Sequence, residues 1–123
     1  MINGDYNEFI DNLHHGSEMW FVYDEILYFV QGFPKNGKYN LYLDLPCIEG
    51  KGPEWTFEED EKGRYPVEKF LSSPVFNGKT FREIEADAEW VDGEYYYEAI
   101  SKERGIPLEE LLSAVTARLK RNV

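Results

Sequence analysis

Few residues of this 123-residue chain could take part in chemistry, and most of them lie in short runs. His14-His15 suggests a metal ligand pair, yet adjacent residues on a helix point about 100° apart, and neither an H-E-x-x-H nor a Cys-His spacing follows. A place at a helix C-terminus, where a partial positive charge is favoured, suits both better. The densest acidic run is Glu58-Glu59-Asp60-Glu61, with Glu54 shortly before it. It lacks the alternating D-x-[DN]-x-[DN]-G oxygen ligands of a calcium loop, so no metal is expected there. It reads either as a solvated strand end or as a contact surface for a basic partner, and Glu54, Glu58, Glu59, Asp60 and Glu61 are the residues expected to form that surface.

The remaining candidates lack the companions their chemistry needs. Cys47, in Leu45-Pro46-Cys47-Ile48, is the only cysteine, which excludes an internal disulfide and a thiolate metal cluster within one chain. No base or helix start stands near it to lower its pKa, so it reads as a small apolar filler. Gly50-Lys51-Gly52-Pro53 does not have the G-x-x-x-x-G-K-[ST] spacing of a phosphate loop, and Ser17 does not sit in a G-x-S-x-G elbow. With 24 acidic side chains some carboxylates must meet, and glycosidase chemistry needs only two, but their separation is set by the fold. Catalytic residues and cofactors are therefore not expected, while a carboxylate-dependent enzyme stays open as one alternative.

Tyr95-Tyr96-Tyr97, with Trp90 nearby, could stack on nucleic-acid bases. Three consecutive side chains point in different directions, however, and no lysine or arginine is interleaved with them, which favours packing. The stretch Ile100-Ser101-Lys102-Glu103-Arg104-Gly105-Ile106-Pro107 resembles the turn of a helix-turn-helix, but the helix after it starts with Glu109 and Glu110, where phosphates would be met. A second alternative is thus a regulatory protein whose terminal helices dimerise or touch DNA through Arg118, Lys120 and Arg121.

The elements that must position these residues follow from hydrophobic periodicity. Tyr6, Phe9, Ile10 and Leu13 predict a helix over residues 5–13, ended by Gly16. Residues 18–23 and 26–33, rich in aromatic and β-branched side chains, predict a hairpin turning at Asp24-Glu25. Beyond the turn signal Pro34-Lys35-Asn36-Gly37-Lys38, Tyr39, Leu41, Leu43 and Leu45 alternate with polar partners as in a half-buried strand. Residues 46–53 read as loop, and Trp55 and Phe57 share one face of a fourth strand. Short helices are expected at residues 66–71 and 80–86, with a turn at Asn77-Gly78 between them. Residues 94–104 and 107–121 predict a helical hairpin whose last helix carries the stripe Leu108, Leu111, Leu112, Val115 and Leu119. The fold class expected is α+β: one domain over residues 1–123, an antiparallel meander of about four strands, an N-terminal helix and C-terminal helices packed on one face.

Bulk properties agree with a folded domain. Hydrophobic residues make up 42% and aromatics 16%, too much for a disordered chain despite the formal net charge of −11. The surplus of acid repels phosphate, so nucleic acid is an unfavourable partner and a basic protein a favourable one. No apolar run is long enough for a membrane span, and Met1-Ile2-Asn3-Gly4-Asp5 lacks the features of a signal peptide; a cytoplasmic location is expected.

The segment Val75-Phe76-Asn77-Gly78-Lys79-Thr80-Phe81-Arg82-Glu83-Ile84 resembles small uncharacterised bacterial proteins of the kind encoded near mobile or prophage-like DNA. The resemblance extends from Phe9-Ile10-Asp11-Asn12-Leu13 through the aromatic hairpin, over about residues 5–92, and leaves out the terminal helices. It implies an α+β fold and brings no catalytic residues with it. The function expected is a non-enzymatic acidic protein-binding module, in its sharpest form an immunity-like or inhibitor-like protein that covers the cationic site of its target.

Overall fold

The computed structural model describes residues 1–46 and 54–121, the last two of these as backbone only. The chain is α+β. Among the described residues five α-helices and five strands follow one another as α1 (Tyr6–His14), β1 (Met19–Tyr23), β2 (Ile26–Lys35), β3 (Lys38–Asp44), β4 (Glu54–Phe57), α2 (Val67–Ser72), α3 (Phe81–Ile84), β5 (Glu89–Val91), α4 (Tyr96–Arg104) and α5 (Leu108–Arg121). The four predicted strands form the expected meander, and a fifth joins it on the far side of β1 to give the antiparallel order β4-β3-β2-β1-β5. Cys47 and the Gly50-Lys51-Gly52-Pro53 stretch lie outside the described residues.

Local chemistry explains the element ends. Asp5 caps α1 by accepting the Glu8 N–H at 3.1 Å, which places the helix start one residue later than the periodicity suggests. Thr80 and Glu83 form a reciprocal capping box on α3, and the predicted helix over residues 80–86 continues past Ile84 only as a 3-10 turn, Glu85–Asp87. The β1–β2 connection is a two-residue turn in which both Asp24 and Glu25 have positive φ, 54° and 64°, as such tight hairpins require.

One face of the sheet is sealed. Phe21 of β1, Tyr28 of β2 and Phe57 of β4 meet Phe9 of α1, Phe81 of α3, Phe76 of the Asn77 turn and Phe70 of α2, with ring centroids 5.2–5.9 Å apart. Phe9, Phe21, Phe70, Phe76 and Phe81 are all fully buried, so this aromatic cluster forms a large apolar part of the core. Tyr65 closes the far end by lying on two backbone surfaces, Gly16 and Gly32, which approach so closely that the Gly32 N–H donates to Gly16 O at 3.0 Å. A Cβ at Gly32 would stand 2.4 Å from the Tyr65 ring.

The helices α4 and α5 are anchored at the β1–β2 end of the sheet. Tyr97, only 1% exposed, accepts the Leu27 N–H at 2.8 Å, at a point where β2 runs on past the end of β3. Arg118 of α5 reaches both residues of the hairpin turn, donating to Asp24 at 2.5 Å and to Glu25 at 3.1 Å. No helix among the described residues is long and apolar enough to cross a membrane.

Candidate protein-binding face

Strand pairing fixes which side chains stand on the other face. Residues directly opposite each other point the same way, and the registers Trp20↔Val91, Trp20↔Phe29, Phe29↔Asp44 and Asp44↔Glu54 join into a single row across all five strands. Read from β5 to β4 the row is Val91, Trp20, Phe29, Asp44, Glu54. It passes from aliphatic through aromatic to acidic. The rings of Trp20 and Phe29 lie 5.0 Å apart, tilted by 37°, and in the neighbouring rows Phe33 meets Tyr42 edge-on at 5.8 Å. Trp20, Phe29, Phe33 and Tyr42 all remain half-buried, whereas Val22 and Leu27, one row nearer the hairpin turn and the anchor of α4–α5, are buried. The partly exposed part of this face is therefore an aromatic strip with an acidic end.

That acidic end has a specific electrostatic structure. Asp44 and Glu54 are like charges on adjacent strands, an arrangement that disfavours ionising both. The Tyr42 hydroxyl donates to Glu54 Oε2, and Asp44 follows Tyr42 by two residues on the same face of β3, close enough for the phenol to act on its carboxyl. Burial and then the charge of Glu54 raise the Asp44 pKa above the ordinary carboxylate value, the Tyr42 bond opposing them. The hydrogen bond to Glu54, followed by burial, pushes the Tyr42 phenol well above its usual value. Asp44 Oδ1 is buried with no hydrogen-bond partner among the described residues.

The acidic run expected to form a contact surface is divided by the fold. Glu54 stands in the row just described, on the open face. Glu58 and Glu61 are exposed. Glu59 instead accepts the Tyr39 N–H at 2.7 Å, while its own N–H donates to Asn40 Oδ1 at 3.1 Å. Asp60 organises the turn after β4, accepting the N–H groups of Lys62 and Arg64, each at 2.9 Å, and these bonds hold its carboxyl below the usual carboxylate range. Two of the five carboxylates thus serve the chain's own backbone. Asp44, which the sequence reading did not single out, carries the perturbed chemistry in their place.

Other candidates take the structural roles expected of them. His14 ends α1, and His15 is its C-cap, with Nδ1 2.8 Å from Asp11 O. Of the three consecutive tyrosines, Tyr95 is exposed, Tyr96 half-buried and Tyr97 buried, so they form no common platform. The Arg118 guanidinium is spent on Asp24 and Glu25, and the side chains of Lys120 and Arg121 lie outside the described part of the structure. Among the described residues no three His, Cys, Asp or Glu side chains converge as metal ligands. A cavity of about 510 Å³ lies between the β1–β2 turn, Asn77 and α4–α5, away from Asp44 and Glu54. Comparison of the chain with family models, with curated proteins and with solved structures finds no match in any of the three.

Proposed function

We propose that this protein is a non-enzymatic acidic binding module that engages a basic protein through the uncovered face of its sheet, as an immunity-like or inhibitor-like protein would. The observation that carries the reading is the single row Trp20, Phe29, Asp44 and Glu54, in which half-buried aromatic rings run into a carboxylate pair. Half-buried aromatics can supply the apolar anchor that concentrates binding energy in protein interfaces. The acidic end, backed by the net charge of −11, supplies steering and selects a partner of opposite sign. Glu58 and Glu61 fall at the rim in this reading, where charges affect approach more than residence. A catalytic reading gains less support, because the acid with the raised pKa stands on an open face and the cavity lies elsewhere. A DNA-contact reading loses Arg118, which is already paired twice.

The test is a capture experiment on extract from the source cell with three immobilised forms of the protein: the natural chain, the double variant Trp20→Ala/Phe29→Ala and the double variant Glu58→Gln/Glu61→Gln. The expected result is a basic protein held by the natural chain, released by the aromatic variant and still held by the rim variant. Thermal unfolding of each form confirms that it is folded. A partner held equally well by the folded aromatic variant, or none that depends on this face, would overturn the proposal.

A further inference from the structure

The row that crosses the sheet sets the length and the chemistry of what can lie on it. Neighbouring strands stand about 4.8 Å apart, so the step from the Phe29 ring to the Asp44–Glu54 pair is about the length of an extended three-carbon side-chain stem. A side chain laid along the row from β1 towards β4 would rest its methylenes on Trp20 and Phe29 and bring its head to the two carboxylates. The head must be cationic. Asp44 and Glu54 oppose one another in register, and no described residue forms an ion pair with either, so positive charge above them relieves a repulsion between the two carboxylates. The head must also present donors along two directions, since its acceptors sit on separate strands, with Cβ atoms of opposed residues about 5 Å apart. A planar guanidinium meets both requirements and stacks on aromatic faces, whereas an ammonium is a compact, strongly hydrated point charge.

We infer that the face receives an arginine of the basic partner, its stem packed on Trp20 and Phe29 and its guanidinium bridging Asp44 and Glu54. The inference rests on the protein-binding reading above and names the chemistry of its central contact. The two acids are the specificity-determining pair, with the Glu54 carboxylate held by the Tyr42 hydroxyl.

The experiment uses the whole chain and a defined probe, N-acetyl-arginine methylamide, with the lysine and citrulline counterparts as controls. Carbon-detected NMR follows the carboxyl groups of Asp44 and Glu54, and proton–nitrogen spectra follow the Trp20 indole N–H and the backbone. The expected result is a saturable shift confined to Trp20, Phe29, Asp44 and Glu54, with the Asp44 titration moved to lower pH by the arginine probe. The lysine probe shifts the same signals more weakly, and citrulline, which has the shape without the charge, shifts none. Asp44→Asn and Glu54→Gln, each removing one charge from a repelling pair and so leaving the fold intact, both abolish the response. Shifts spread equally over Glu58 and Glu61, or an equal response to lysine and arginine, would overturn the inference. A captured partner that needs Trp20 and Phe29 although the arginine probe leaves the row unmoved would sink the arginine and spare the binding face. The opposite pair of results would spare the arginine site and sink the captured-partner reading.

Discussion

Asp44 and Asp60 lie sixteen positions apart, and their surroundings push them in opposite directions. Burial and the charge of Glu54 raise the Asp44 pKa, so the folded chain holds this proton more tightly than the unfolded chain does. Its contribution to stability is fully present below the ordinary aspartate pKa and is lost as pH rises through the raised value. Backbone N–H groups from Arg64 and Lys62 lower the Asp60 pKa, so its contribution is present above the ordinary value and is lost as pH falls through the lowered one. Two substitutions separate the signs. Asp44→Asn is expected to raise the unfolding free energy at neutral pH, and with it the urea midpoint, by about 0.5 kcal/mol of stability on the scale of one cross-strand charge pair, with little effect once Asp44 is protonated in acid. Asp60→Asn is expected to lower the midpoint at neutral pH, and the difference should fade as the natural chain is acidified. Urea titrations of both variants at several pH values check each outcome. Legibility in the sequence also ends at this scale. Asp44 alternates with Leu43 and Leu45 as any polar strand residue does, and its meeting with Glu54 is a matter of register. Spacing along the chain does not encode it, because the register in which β4 pairs with β3 decides which residues stand opposite.

Elements with strong local signals were readable, and those made by tertiary contact were not. The helix α1, the β1–β2 hairpin and the helices α4 and α5 follow from periodicity and turn residues, because amphipathic spacing and positive-φ turns are properties of neighbouring residues. The strand β5 has only three residues, Glu89, Trp90 and Val91, too few for alternation to register, and it exists because β1 offers a free edge beside it. The Gly16–Gly32 contact is equally silent in sequence, since the two residues are brought together by the fold and covered there by the Tyr65 ring. Gly32→Ala is expected to destabilise the fold by about 1–3 kcal/mol, the usual cost of forcing atoms into a filled site, because the new methyl meets a ring and the Gly16 backbone. Tyr97→Phe tests the anchor of α4 in the same manner. It leaves the Leu27 N–H without its acceptor in a buried place, at a cost of about 1–3 kcal/mol, and amide exchange at Leu27 and through α4 should speed up. Chemical denaturation gives the first quantity for each variant, and hydrogen exchange locates the second.

At the scale of the whole molecule, net charge acts on stability and on binding with opposite signs. Twenty-four acids against thirteen bases leave a formal charge of −11, and much of it lies on exposed carboxylates that gain nothing from one another. Compact folding brings these charges closer together, so self-repulsion weakens the folded state, and salt screens it over a Debye length of about 8 Å at physiological ionic strength. The same screening weakens the attraction that steers a basic partner towards the acidic end of the sheet. Raising sodium chloride from low to moderate concentration is therefore expected to increase the thermal midpoint of the isolated protein while slowing association with its partner. The dissociation rate should change less, because Trp20 and Phe29 hold the complex through apolar contact that salt does not screen. Calorimetry of the free chain and surface-based kinetics of the complex, run over one salt series, check the two slopes together. If association proved insensitive to salt while stability still rose, the carboxylates of the open face would be solvating groups alone, and binding would have to be sought on another surface.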